Sequence, residues 1–349
     1  MEFLKETAEV VLLNPARDFK REVKLIEYRS DPLTGYRSRV SHDRAKRVKQ
    51  AQKITVDVAD IVSRSAEGCY FCSENIERAT SKFIPEIPVG NGDGRITVGQ
   101  CTLFPNLHPF AEHHAVGTLT VRHYLELDEF TPRMVTDNLK ATLTYIAAVH
   151  RVDLEAKYPV WVWNHLPPSG ASIIHPHVQV ALEHAPMPEL ASLLSKSEGY
   201  MRHTGANFWL ELIAVEREVG ERFIGENASF AVMSAFSPRG NRDVQIISKR
   251  VSGIADFDER NINDFADAVV RVLRGYKSMG VNSFNLVTYS AAVGDQPEHF
   301  RFSARMISRP VFQPLYTNDA GPIERFYGVS IIEAMPEQAA AEMRKQFNG

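Results

Sequence analysis

The spacing of apolar and polar positions gives one pattern twice. "CTLFPN" (101–106) and "HAVGTLTVR" (114–122) read as strands, and "YPVWVWN" (158–164) and "HPHVQVALE" (175–183) read as two more. Between these pairs "TPRMVTDNLKATLTYIAAVHRV" (131–152) has helical spacing, with Met134, Leu139, Leu143 and Ile146 on one stripe. The second copy has strands in "SFAVMSAF" (229–236) and "DVQIISKR" (243–250), a helix in "DERNINDFADAVVRVLRGYKSMG" (258–280), and strands in "FNLVTYS" (284–290) and "FRFSARMIS" (300–308). Strand, strand, helix, strand, strand therefore occurs twice. The pattern predicts an internally duplicated α+β protein, with antiparallel sheets and helices packed to one side, rather than a doubly wound parallel sheet. Proline-rich chain in "LEHAPMPELASLL" (182–194) sets the join near 190, giving halves 1–190 and 191–349.

One stretch breaks the core pattern. "NHLPPSGASIIHPHVQV" (164–180) interleaves Asn164, Gly170, Ser172, His175, His177 and Gln179 with apolar residues, and buried polar groups cost free energy unless paired. As a strand over 175–183, alternation puts His175, His177, Gln179 and Ala181 on one face and Pro176, Val178, Val180 and Leu182 on the other. The polar row faces a site, and the Gly170–Ser172 loop before it lets backbone amides approach an anion such as phosphate. An edge strand with solvated histidines is the competing explanation, which the proline between them and the preceding Gly-Ser loop disfavour.

Composition narrows the function. The chain has 349 residues, 44% hydrophobic and 24% charged, and its 40 basic and 43 acidic residues leave a net charge of -3. Such a mixed balance provides no field for nucleic acid or membrane and points to a small-molecule substrate. The N-terminus "MEFLKETAEVVLLNPARDFK" lacks a basic start followed by a continuous apolar region, and no run approaches a membrane span, so a cytoplasmic protein is expected. Three cysteines are too few for a disulfide framework. Cys69 and Cys72, spaced C-x-x-C, leave metal or redox chemistry open, and Cys101 on a strand pattern reads as a small buried hydrophobe.

Asn, then Gly, Ser, His-Pro-His and Gln at these spacings resemble the active-site signature of the galactose-1-phosphate uridylyltransferase family, the transferase branch of the histidine-triad (HIT) superfamily. Hydrolases of that superfamily carry a third histidine where this chain has Gln179. The resemblance extends to "DPLTGYRSRVSHDRAKR" (31–47), similar to the segment whose arginines, here Arg44 and Arg47, reach substrate phosphates. It continues through "GCYFCSEN" (68–75), "LFPNLHPFAEHHAV" (103–116) on the nucleotide side, and "MPEQAAAEMRKQ" (335–346). By itself "HDRAKRVKQAQK" (42–53) would read as a solvated basic helix face.

The resemblance implies two HIT-like halves, the second with a degenerate motif, and one structural zinc per chain on Cys69, Cys72, His123 and His175. His113 and His114 compete for the third ligand position, although they read more naturally as turn residues. His177 is implied as the nucleophile, with Gln179 and Ser172 assisting it and Asn164 supporting the loop. Arg44, Arg47, Phe104, Gly170, Arg325 and Phe326 are implied in substrate binding. The expected substrates are a nucleotide sugar with a sugar phosphate or phosphate, and the expected assembly is a homodimer. Three departures qualify the match. Tyr289, Arg301 and Ser303 replace the histidines of a second-half metal site, which is expected to be absent. Thr102 and Leu103 replace Asn-Asp before Phe104, leaving the base open between uridine and adenosine. "IERFYGVSIIEAM" (323–335) keeps Arg325 and Phe326 but lacks a clear counterpart of the hexose-reading glutamine. Transfer between sugar phosphates, phosphorolysis with inorganic phosphate, and non-catalytic nucleotide-sugar binding are the three functions left in view.

Overall fold

A computed structural model describes residues 1–41, 43–44, 58–90 and 92–347. The chain opens with the paired strands β1 (Leu4–Asn14) and β2 (Lys20–Ser30), followed by β3 (Arg37–Val40) and the helices α1 (Val58–Ala66) and α2 (Ile76–Ala79). The first copy of the repeated pattern is β4 (Ile96–Val98), β5 (Cys101–Pro105), β6 (His113–Thr118), α3 (Pro132–Val152), β7 (Tyr158–His165) and β8 (His177–Glu183). Two further helices follow, α4 (Pro188–Thr204) and α5 (Phe208–Val219). The second copy is β9 (Phe223–Glu226), β10 (Phe230–Ser234), β11 (Asn241–Ser248), α6 (Glu259–Ser278), β12 (Phe284–Tyr289) and β13 (Ser303–Ser308), and the chain continues through α7 (Pro322–Tyr327), β14 (Ser330–Ile332) and α8 (Pro336–Arg344).

The two copies form one ten-stranded antiparallel sheet in the order β4-β5-β6-β8-β7-β12-β13-β11-β10-β9. Read outwards from the central β7–β12 pair, both sides have the same order, which is the duplication that the pattern predicts. Antiparallel pairing there sets Asn164 opposite Asn285 and Trp163 opposite Leu286. Helices α3 and α6 cover one face, burying Leu139, Ile146, Phe265 and Leu273 with Trp161, Phe230 and Val232. At α6, Asp258 caps Asn261 N–H and Asn261 returns the bond, so the helix starts where its apolar stripe does.

Three features lay beyond the sequence pattern, the first being the short edge strands β4 and β9, which add a fifth strand to each predicted four-strand copy. Helices α4 and α5 bury Leu193, Trp209 and Ile213 against Ala231, Met233 and Ile247, the opposite face of the second half. That face is closed, whereas the corresponding face of the first half carries the cleft described below. A second sheet, β1-β2-β3-β14, contains a parallel β3–β14 pair that joins the two ends of the chain. It rests on the second half through buried Arg29, which donates to Glu337 Oε1 at 2.7 Å, and Ser237, whose hydroxyl donates to the Arg29 carbonyl at 3.1 Å.

Candidate active site

The strand starts at His177 rather than at His175, and this divides the histidine pair. His175 lies in a bend, buried, with Nδ1 3.9 Å from Cys69 Sγ and 3.6 Å from Cys72 Sγ. His123 brings its Nδ1 within 3.5 Å of Cys72 Sγ, so four potential ligands converge on one point. Each imidazole is oriented from its far side, His175 Nε2 by the Thr120 carbonyl at 2.8 Å and His123 Nε2 by Ser65 Oγ at 2.8 Å. Burial holds His175 down at about 4 and lowers His123, so both are neutral imidazoles able to ligate a metal. Burial and then the neighbouring Cys69 push the Cys72 thiol up to about 12, a cost that a bound cation would reverse.

His177 turns the other way. Its Nδ1–H donates to the His175 carbonyl at 2.7 Å, which fixes the tautomer and leaves Nε2 with a lone pair. Phe71, carried between the two cysteines, packs edge-on against His177 with centroids 5.3 Å apart and also against Phe104 at 5.3 Å. Burial lowers the His177 pKa from 6.5, so the ring is neutral at pH 7. A cleft of about 320 Å³ opens beside it, lined among others by Tyr70, Phe104, Asn106, Ser172, His177 and Gln179.

Gln179 lies two residues along the same face. Phe110 N–H donates to His114 Nδ1 at 3.2 Å, so His114 Nε2 carries the proton and donates to Gln179 Oε1 at 3.1 Å. The Gln179 amide is thereby oriented with its NH₂ free to donate. Sequence reasoning missed His114, read as a turn residue; it sits in β6 opposite Ala181, a relation visible only once the strands are in register.

The loop before His177 is held under backbone strain. Buried Leu166 has φ 67° and Gly170 φ 90°, and such a conformation at leucine costs roughly 1–3 kcal/mol. Asn285 supports the loop, donating to the Ser169 carbonyl at 2.8 Å and to Asn164 Oδ1 at 2.6 Å, while Arg309 donates to Asn285 Oδ1 at 2.8 Å. Asn285 and Arg309 were also missed, because their contacts cross the central strand pair.

Not every expected residue reaches the cleft. Exposed Arg44 lines a separate groove of about 180 Å³ with Asp319, Gly321 and Glu333, and Arg47 lies outside the described residues. Arg325 and Phe326 stand on α7, where Phe326 is 83% exposed, and neither lines the His177 cleft. Tyr289 and Ser303 line a small second-half cavity with Arg239 and Arg305, while Arg301 donates to the Phe300 carbonyl at 2.7 Å. Among the described residues no helix is long and apolar enough to cross a membrane.

No protein-family model matches the chain. An uncharacterized protein of Archaeoglobus fulgidus is 31% identical over 347 residues, covering 99% of this chain and 98% of that one. A galactose-1-phosphate uridylyltransferase of Neurospora crassa is 28% identical over 133 residues, 37% of this chain and 32% of the enzyme. Among solved structures, an ADP-glucose phosphorylase from Arabidopsis thaliana with bound ADP-glucose superposes with a TM-score of 0.70 at 20% identity, covering 92% of this chain and 99% of that one. A uridylyltransferase superposes with a TM-score of 0.66 at 17% identity, covering 92% and 98%. The chain belongs to one family with the Archaeoglobus fulgidus protein, and its fold is that of the galactose-1-phosphate uridylyltransferase-like proteins.

Proposed function

We propose that the protein is a nucleotidyltransferase that moves a nucleoside monophosphate through a covalent intermediate on His177. The observation that carries this reading is the His177 Nδ1–H bond to the His175 carbonyl, which leaves a neutral Nε2 at the wall of a cleft. In the first half-reaction Nε2 attacks the α-phosphorus of a nucleoside diphosphate sugar. The bond from that phosphorus to the bridging oxygen breaks, and the sugar 1-phosphate leaves with the oxygen and its electron pair. In the second half-reaction a phosphate oxygen of the acceptor attacks the same phosphorus, and the N–P electron pair returns to Nε2.

Charge on the transferring group calls for donors rather than a strong base. The Gln179 NH₂ and the Ser172 hydroxyl supply them from the chain, and Asn164, held by Asn285, fixes the loop containing Gly170. Phe104 and Asn106 also line the cleft and suit a nucleoside. The metal cluster fits zinc: tetrahedral Zn–S bonds of about 2.3 Å and Zn–N bonds of about 2.0–2.1 Å imply donor–donor edges of about 3.3–3.8 Å. Separations of 3.5 and 3.6 Å lie inside that range and 3.9 Å just beyond it. Zinc on Cys69, Cys72, His123 and His175 would fix the bend that presents His177 and the loop that presents Phe71. On this reading residues 1–190 carry the chemistry, and 191–349 form the degenerate half. Arg44, Arg47, Arg325 and Phe326 would meet substrate in a homodimer, where a second copy can face the cleft.

Initial rates at several fixed acceptor concentrations test the reaction. Parallel double-reciprocal lines, with a stoichiometric burst of sugar 1-phosphate in the absence of acceptor, are expected; lines that intersect, with no burst, would reject the covalent route. Phosphorolysis is the second reading, favoured by Thr102 and Leu103, which leave the nucleotide side without the Asn-Asp pair. Inorganic phosphate and a hexose 1-phosphate compared as acceptors decide between the two.

A further inference from the structure

The opposite face of the same strands holds a second cluster. His113 opens β6, His184 follows β8, and Asp153 ends α3, so three distant segments meet. His113 Nε2 and His184 Nε2 each lie 2.8 Å from the same oxygen, Asp153 Oδ2. The other oxygen, Oδ1, is occupied by the backbone N–H groups of Glu155 at 3.1 Å and Ala156 at 3.3 Å, which fix the carboxylate with Oδ2 aimed at both rings. The rings are edge to face, with centroids 6.3 Å apart, so their nitrogens converge without stacking. Glu112 adds a second carboxylate, 3.6 Å from His184 Nδ1. The side chains are 14%, 26% and 46% exposed for His113, Asp153 and His184, so the cluster is open to water on one side.

The geometry points to a second metal site, a His₂Asp site for a borderline divalent cation of the zinc class. Two imidazole nitrogens and one carboxylate oxygen, all within 4.8 Å of one another, are a donor set that such cations take, with water completing the shell. Both Nε2 atoms face Oδ2, and a cation placed among them would take the place of the two N–H contacts and bridge the three groups, each ring then carrying its proton on Nδ1. The bound metal would join β6, β8 and α3 where the strands emerge from the sheet. It also restrains the strand carrying His114, one residue from His113 and on the other face, which orients Gln179.

The test is metal stoichiometry on the full-length protein, dialysed against buffered Zn²⁺ and measured by inductively coupled plasma mass spectrometry. Wild type is compared with the double variant H113Q/H184Q and with C69S/C72S, each checked for native circular dichroism. The double variant should hold one zinc fewer per chain than wild type and keep the thiolate-to-metal absorption when reconstituted with Co²⁺; C69S/C72S should lose that absorption and retain the weaker visible bands of a nitrogen–oxygen site. Equal zinc content in wild type and H113Q/H184Q would overturn the assignment. Should the double variant not fold, the C69S/C72S protein decides alone: Co²⁺ bands without thiolate absorption support the site, and no bound metal removes it.

Discussion

Burial lowers the His177 pKa, and on the proposed mechanism this sets the acid limit of the chemistry. The reactive form is neutral, and its pKa lies below 6.5, so nucleophilicity is lost only as pH falls through that lowered value. The acid limb of kcat/KM for the donor should therefore lie below 6.5, with rates nearly level from there to pH 8; a limb above 6.5 would mean that the ring is solvated in the working enzyme. The Gln179 amide is a matching case. His114 Nε2 fixes its oxygen, and on the proposed mechanism Gln179→Ala removes a donor to the transferring group while leaving the fold intact. A fall of about 10²-fold in kcat is expected, the scale for losing one oriented donor. These residues were legible in the sequence to unequal degrees. His177 and Gln179 lie two positions apart on one strand, where alternation sets their shared face, whereas His175 precedes the strand and its turn toward the cysteines came only from the resemblance. His114 depends on strand register, and Arg44 and Arg325 on surfaces that a short motif does not describe.

At the scale of elements, one buried amide ties the first half together. Asn138 on α3 donates to the carbonyls of Gly117 at 3.2 Å and Thr118 at 3.3 Å on β6, and accepts from Trp161 Nε1 at 3.0 Å on β7. Asn138 and Trp161 are both fully buried, so Asn138→Ala strands the indole N–H without water. A loss of about 1–3 kcal/mol is expected, the cost of a buried unpaired donor, read as a lower denaturation midpoint with an unchanged slope. Periodicity placed α3, α6 and the eight repeated strands because each has a clean apolar stripe or alternation. Helices α4 and α5 carry weaker stripes that match only the particular face of β10 and β11 they cover. In the strand pair β1–β2 the apolar Val11, Leu13, Val23 and Leu25 stand on the exposed side, so apolar alternation there does not mark a face packed on the core.

Across the whole molecule, the first forty residues join the second half rather than the half carrying His177. Arg29 is 2% exposed and pairs with Glu27 at 2.6 Å and Glu337 at 2.7 Å, linking β2 to α8. Arg29→Met keeps the volume and removes charge-assisted bonds, and should lower stability by about 1.5–3 kcal/mol without changing the rate of nucleotide transfer measured well below the melting temperature. Such closure between chain ends is a product of pairing at long sequence separation, which local pattern does not encode. Duplication was legible because both copies repeat the strand, strand, helix, strand, strand order, and its consequence is a sheet whose two halves share one architecture while the His177 cleft opens on the first.

The claim that His177 carries the nucleotide is tested most directly by intact-protein mass. The enzyme would be mixed separately with UDP-glucose, UDP-galactose and ADP-glucose without acceptor, in wild type and His177→Ala, followed by peptide mapping under neutral conditions that preserve a phosphoramidate. One nucleoside monophosphate per chain on the peptide containing His177, absent from the variant and discharged by acceptor, is the expected result, and its mass names the base. An adduct that persists in His177→Ala, or steady turnover by that variant, would contradict the account.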